Sequence, residues 1–281
     1  MIVKFWGVHG SLPTPGTKTL KYGGNTACVE VRCDHALIIL DAGSGIRELG
    51  DHLLVRSRND PTGNGRIQGH ILFSHFHWDH IQGFPFFAPM YVKGNEFHLY
   101  GFVSRNSNVE KTLRRQMSSP NFPLTMDDFA ARVHFHDLNR GDSIRLDDVT
   151  VKTAALNHPG GSIAYRIEHE GRSVTYATDA EYADGPDKMV VELARDTDLL
   201  ISDSMFTPEQ YHGLWDGLPR KSWGHGTWDT AVELAQASGA KKLVLFHHGN
   251  EDKITERIAN EARDRFPLTL AAYEGLEIIV H

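Results

Sequence analysis

Ser74-His75-Phe76-His77-Trp78-Asp79-His80 places four side chains of metal-ligand type within six positions, directly after the apolar run Ile71-Leu72-Phe73. His75 and His77 are two apart on extended backbone, so their imidazoles project the same way and can share one cation. Asp79 and His80 follow the bend and face a second cation. Imidazole with carboxylate suits zinc, and also admits manganese or iron. Four more candidates sit where strand-like runs stop: His158 after 151–157, Asp179 after 173–178, Asp203 after 199–202 and His247 after 243–246. Each taken alone reads as a turn or cap residue. Together with the H-x-H-x-D-H loop they read as a cage assembled at strand ends. Asp203 and Asp41 are placed to accept a hydrogen bond from the second nitrogen of a ligating imidazole.

The elements that must carry these residues follow from pattern. Strands are expected at 1–8, 26–33, 37–40, 71–73, 97–101 and 133–138, then as hairpins over 143–155 and 162–178 with turns at Asp147-Asp148 and Glu170-Gly171. Buried strands are expected at 199–202 and 242–246, and a closing strand pair at 268–280. Ile46, Leu49, Leu53 and Leu54 keep helical spacing, as do Ala231, Leu234, Ala235 and Ala237. Helices are therefore expected at 46–55 and 227–238, with others at 251–266, at 109–117, after Pro123 and starting within 81–87. Strands cluster and helices follow them, which predicts two packed sheets with helices outside. No Pro-, Gly- or Ser-rich linker divides the chain, so one domain over 1–281 is expected. The stretch 102–132 reads as an insertion that covers a site.

The composition is ordinary for a soluble globular chain: 281 residues, 40% hydrophobic and 23% charged. The net charge of −7 argues against an extended nucleic-acid surface. No run is long and apolar enough to span a bilayer. Met1 to Trp6 reads as a strand, not a signal segment, so a cytoplasmic location is expected. Cys28 and Cys33, an odd number apart on one strand, should point to opposite faces and stay reduced. Arg105, Lys111, Arg114 and Arg115 make the insertion locally basic, and the three arginines are candidate phosphate contacts. Phe206 and Tyr211 are candidate walls of the site. Trp78, Phe84, Phe86 and Phe87 either stack on a base or pack as core. His134 and His136 have no Asp-His pair after them at the spacing of the first motif and read as the exposed face of a strand.

The H-x-H-x-D-H motif, followed in order by His158, Asp179 and His247, resembles the metallo-β-lactamase-fold hydrolase superfamily over nearly the whole chain. Phe5-Trp-Gly-Val-His-Gly-Ser11, Gly23-Gly24-Asn25-Thr26, Asp41-Ala-Gly-Ser-Gly45, Thr178-Asp179-Ala-Glu181 and Gly224-His225-Gly-Thr227 look like its phosphodiesterase-type branch. That branch includes cyclic-nucleotide phosphodiesterases and tRNA 3′-processing endonucleases. The resemblance implies an α/β fold, an αββα four-layer sandwich. It implies His75, His77 and His158 on one metal, Asp79, His80 and His247 on the other, and Asp179 between them. His247 is preferred over His248 because it directly continues its strand. His9 departs from the Arg expected in many relatives. His225 would lie near the scissile phosphate.

The implied chemistry is hydrolysis by a hydroxide bridging two divalent ions, zinc foremost, with Asp79 orienting it and His225 as general acid or phosphate-positioning group. The expected substrate is a cyclic nucleotide or other small phosphodiester, and a homodimer is expected from the resemblance. The same ligands would serve an acyl hydrolase acting on a lactone, thioester or β-lactam. They would also serve a tRNA 3′-processing nuclease, or a metal-binding module without catalysis.

Overall fold

The computed structural model describes residues 1–59, 65–102 and 107–281. Fourteen strands are found among them: β1 (Ile2–Gly7), β2 (Cys28–Cys33), β3 (Ala36–Leu40), β4 (Gln68–Phe73), β5 (Glu96–Phe102), β6 (Arg132–Leu138), β7 (Ser143–Leu146), β8 (Val149–Leu156), β9 (Ser162–His169), β10 (Arg172–Ala177), β11 (Leu199–Asp203), β12 (Leu243–Phe246), β13 (Thr269–Ala271) and β14 (Glu277–Ile279). Helices are α1 (Ile46–Arg58), α2 (Trp78–Ile81), α3 (Val109–Gln116), α4 (Lys188–Leu193), α5 (Pro208–Tyr211), α6 (Trp228–Ser238) and α7 (Asp252–Arg265).

The strands form two seven-stranded sheets, ordered β14-β1-β2-β3-β4-β5-β6 and β13-β12-β11-β10-β9-β8-β7. Their facing sides bury Phe5, Val31, Leu40, Leu72, Tyr165, Tyr176 and Phe246 in one core. The outer side of the first sheet packs under α1 and α3 through Ile39, Leu49, Phe73 and Leu113. The outer side of the second packs under α4, α6 and α7 through Leu200, Val190, Leu234 and Ile258. This is the αββα order, and period-two alternation drives it: each buried strand sends successive side chains to two different cores. Cys28 and Cys33 show the alternation directly, one in the outer core and one in the inner, both reduced. Among the described residues, no helix is long and apolar enough to cross a membrane.

Four details depart from expectation. The closing strands are not a pair: β13 joins β12 in one sheet and β14 joins β1 in the other, so the turn at 273–275 crosses between layers. The helix expected within 81–87 begins earlier, inside the motif, and lasts one turn. Pro85 and Pro89 then restrict the chain to 3₁₀ turns. After Pro123 there is only a 3₁₀ turn, Met126–Asp128, while α4 has no clear signal in so short a segment.

The parallel register of β3-β4 and of β10-β11-β12 makes Asp41, Ser74, Asp179, Asp203 and His247 emerge at the carboxyl ends of neighbouring strands.

Candidate metal centre

β4 delivers Ser74 and His75 to this end of the sandwich. His77 is the extended residue before α2, and the single helical turn carries Asp79 and His80 back toward the sheet. The side chains form two donor groups: His75, His77 and His158; and Asp79, His80, Asp179 and His247.

In the first group His77 Nδ1 lies 3.0 Å from His158 Nε2. The other nitrogen of His158 donates to Gly224 O at 2.8 Å, which leaves its Nε2 as a lone pair. His75 Nε2 is buried with no hydrogen-bond partner. Burial, reinforced for His75 by His80, pushes the pKa values of His75, His77 and His158 down, so all three are neutral and able to bind a cation at neutral pH.

In the second group His80 Nε2 stands 3.2 Å from His247 Nε2, 3.4 Å from Asp79 Oδ2 and 3.3 Å from Asp179 Oδ1. His247 Nε2 stands 3.1 Å from Asp79 Oδ2 and 3.4 Å from Asp179 Oδ1. Donors about 2.0–2.1 Å from a tetrahedral cation stand roughly 3.3 Å from one another, so these separations are tetrahedron edges. Asp179 divides its oxygens: Oδ1 faces the second group, while Oδ2 lies 3.7 Å from His75 Nε2 and 3.9 Å from His158 Nε2. Burial disfavours ionised Asp79 and Asp179, yet the surrounding histidines hold both well below the carboxylate range. The unpartnered lone pair of His75, the tetrahedral spacing and the two ionised carboxylates together fit two divalent cations.

The supporting residues lock these rings. Asp41 is fully buried and accepts four hydrogen bonds: Ser74 N at 2.7 Å, and Ser74 Oγ, His80 Nδ1 and the Tyr176 hydroxyl each at 2.8 Å. His80 thus presents Nε2 to the centre. Asp203 accepts from His225 Nδ1 at 3.0 Å and from Met205 N at 2.9 Å. Burial lowers the pKa of His225, but Asp203, with Asp179 and Asp79, outweighs it and lifts the imidazole to about 9. His225 stacks on His247 with centroids 5.0 Å apart. Asp41, Asp179 and His247 all have left-handed backbone, with φ of 61°, 54° and 60°, a conformation that bends the chain at once from strand end to site. Gly10 lies flat on His247, where a Cβ would fall 2.5 Å from the ring.

In sequence Glu181 stands out only as part of a family signature, whereas in the structure it builds the far wall. It accepts from Ser222 N at 2.7 Å, Gly224 N at 2.9 Å and the Tyr211 hydroxyl at 2.5 Å. It thereby holds the loop that presents both Gly224 O and His225. Ser11 N, not His9, reaches the centre, donating to Asp79 Oδ2 at 2.8 Å. His9 bonds the carbonyl of Gly10 and is buried. His248 turns away and donates to Ala272 O.

Beside the first group a cleft of about 250 Å³ is lined by His75, His77, Phe102, Thr112 and Arg115. Arg114 is not at this cleft. Its guanidinium is taken up by Glu110 and Asp127 at 2.9 and 2.8 Å, because helical spacing turns it to the other side of α3. Arg105 lies outside the described residues. Phe206 is buried edge-on to His225, 6.0 Å between centroids, as a wall. Phe84 and Phe87 are core, while Trp78 is 83% exposed.

The model of the beta-lactamase superfamily domain matches residues 37–248. Ribonuclease BN of Cronobacter sakazakii is 26% identical over 298 aligned positions, covering 87% of this chain and 90% of that protein. Ribonuclease Z of Gemmatimonas aurantiaca is 31% identical over 175 positions, 62% of this chain and 47% of that protein. Among solved structures, the metallo-beta-lactamase fold protein YhfI of Bacillus subtilis superposes with a TM-score of 0.71 at 17% identity, covering 99% of this chain and 98% of that one. The short form of human tRNase Z superposes with 0.68 at 21% identity, with both chains fully covered. The ribonuclease relatives contradict the expectation of no extended nucleic-acid binding, and they favour the tRNA-processing alternative over a cyclic nucleotide. That expectation rested on net charge, which averages the whole surface and says nothing of a single arginine, Arg115, on the wall of one cleft. The chain is a metal-dependent hydrolase of the β-lactamase superfamily, built on the metallo-β-lactamase fold.

Proposed function

We propose that this chain is a phosphodiesterase that cuts RNA, of the tRNA 3′-processing kind. The observation that carries the reading is the Asp203–His225 pair beside the two donor groups, in a chain whose relatives are named as ribonucleases. A phosphodiester needs two things at once: charge neutralisation at the phosphoryl group and a proton for the leaving alkoxide. Divalent cations, zinc foremost, when bound by His75, His77, His158 and by Asp79, His80, His247 with Asp179 between, supply the neutralisation and an activated water.

The remaining steps belong to side chains. Asp203 accepts from His225 Nδ1 and favours the charged ring, which leaves Nε2–H to face the leaving oxygen. General-acid catalysis of this kind contributes about 10²–10⁴-fold. Glu181 fixes the loop that carries His225, so the donor does not wander. Arg115 on the cleft wall meets a backbone phosphate, and the exposed Trp78 indole offers a face on which a base stacks. A chromogenic lactam or thioester would need neither Arg115 nor Trp78.

The test is to incubate the zinc- or manganese-loaded chain with a 3′-extended tRNA transcript and with a scrambled RNA of equal length. A discrete cut in the tRNA substrate is expected. Both RNAs intact under conditions where a thioester or lactam turns over would overturn the reading.

A further inference from the structure

Away from the cleft, the first sheet carries a second set of histidines. The parallel register places His70 beside His98 and His98 beside His134, with ring centroids 5.2 and 4.5 Å apart. The next row pairs Tyr100 with His136, ring centroids 4.4 Å apart. Glu96 stands two residues ahead of His98 on the same face of β5. Its Oε1 is 2.9 Å from His134 Nε2 and 3.9 Å from His98 Nε2, while its Oε2 is 3.5 Å from Arg132 Nη1. His98 Nδ1 is 3.0 Å from His136 Nε2. His70 lies five residues before His75, roughly 16 Å along a strand, so this cluster is separate from the centre described above.

We propose that Glu96, His98 and His134 form a third site for a divalent cation of zinc type. Their three donor atoms lie within 4.8 Å of one another. The rings of His98 and His134 are stacked at 15°, so both Nε2 atoms approach the same carboxylate oxygen. When His98 donates from Nδ1 to His136, its Nε2 lone pair meets Glu96 Oε1, acceptor against acceptor. A cation between them converts that repulsion into two bonds, and His136 becomes the outer partner that fixes the ring's tautomer. Arg132 occupies only the other carboxylate oxygen. Two imidazoles and one carboxylate leave further coordination to water, as the half-exposed position allows. β6 is the edge strand of its sheet, and a cation held by Glu96 and His98 on β5 and His134 on β6 clasps that edge to its neighbour.

The experiment counts zinc bound to the full chain by equilibrium dialysis with elemental analysis, in three proteins: parent, His134→Gln, and a cleft variant in which His75, His80, Asp179 and His247 are all replaced. The parent is expected to hold one zinc more than His134→Gln, with phosphodiester hydrolysis unchanged in His134→Gln. The cleft variant is expected to keep one zinc and to gain several degrees of thermal midpoint on zinc addition. Adding His134→Gln to it removes both the ion and the gain. Equal zinc in parent and His134→Gln, or a cleft variant whose midpoint does not respond to zinc, overturns the third site. Loss of the two cleft ions alone bears on the metal centre and not on this proposal.

Discussion

Asp41→Asn isolates the contribution of a residue that touches no cation. The position has φ of 61°, which Asn tolerates nearly as well as Asp, so the backbone is not the cause of any effect. The wild-type carboxylate accepts one hydrogen bond on Oδ1 and three on Oδ2. An amide can place its oxygen at the Oδ2 side and keep three of them, but its NH₂ then faces the Ser74 N–H. The Ser74 N–H and the new amide N–H are both left without an acceptor, at about 1–3 kcal/mol of stability each. His80 also loses the anionic acceptor that holds its Nδ1–H, and removal of such an outer partner lowers metal affinity about 10–100-fold. The fall should be confined to the group containing His80. The assay is a competition titration of zinc against a chromophoric chelator, paired with a denaturant melt. Two cleft cations bound with parental affinity by a destabilised Asp41→Asn would refute the view that Asp41 acts through His80.

Three further outcomes are expected. Asp203→Asn removes the largest contribution that raises His225 and leaves burial opposed only by Asp179 and Asp79, so the pKa of the imidazole falls. Phosphodiester turnover at pH 7 should fall at least tenfold, within the roughly 10²–10⁴-fold ceiling of acid catalysis, and recover in part toward acid pH, as a pH–rate profile would show. Gly10→Ala forces a methyl into the His247 ring and should weaken the second cation with little effect on the first, measured by metal content. Cation affinity of the second group should rise with pH. Burial opposes a charged His80, but Asp179, Asp79 and Asp41 outweigh it and set its folded pKa well above 6.5. The protonated ring therefore stabilises the cation-free fold below pH 6.5, and that contribution is lost as pH rises through the raised folded value. A cation must displace this proton, so affinity should gain about tenfold per pH unit in that window, and a flat titration would count against it.

The candidate metal loop is legible in sequence because its four candidate ligands lie close together at a strand end whose geometry is fixed by period two. His158, Asp179 and His247 are legible as strand-end residues, and the structure brings them to the same place. Glu181 is not legible as a support. Two of its three partners are backbone N–H groups 41 and 43 residues downstream, and backbone donors carry no sequence signature. Glu96 and His98 escape sequence reasoning for a related reason. They reach His134 and His136 across a parallel strand pair, 38 residues apart in the chain, so nothing downstream of His134 betrays them. Arg114 and Arg115 look equivalent in sequence, and only the packing of α3 separates the one held by Glu110 and Asp127 from the one at the cleft. The split of β13 and β14 between sheets is invisible because two short apolar runs around a Gly turn read the same whether they pair or part.

The most direct test of the central claim compares turnover of bis(p-nitrophenyl) phosphate with that of a chromogenic lactam or thioester, by the zinc-loaded chain and by Asp179→Ala. The account predicts phosphodiester hydrolysis that disappears with Asp179, the carboxylate shared by both donor groups. Preference for the acyl substrate, or undiminished phosphodiester turnover in Asp179→Ala, would contradict it.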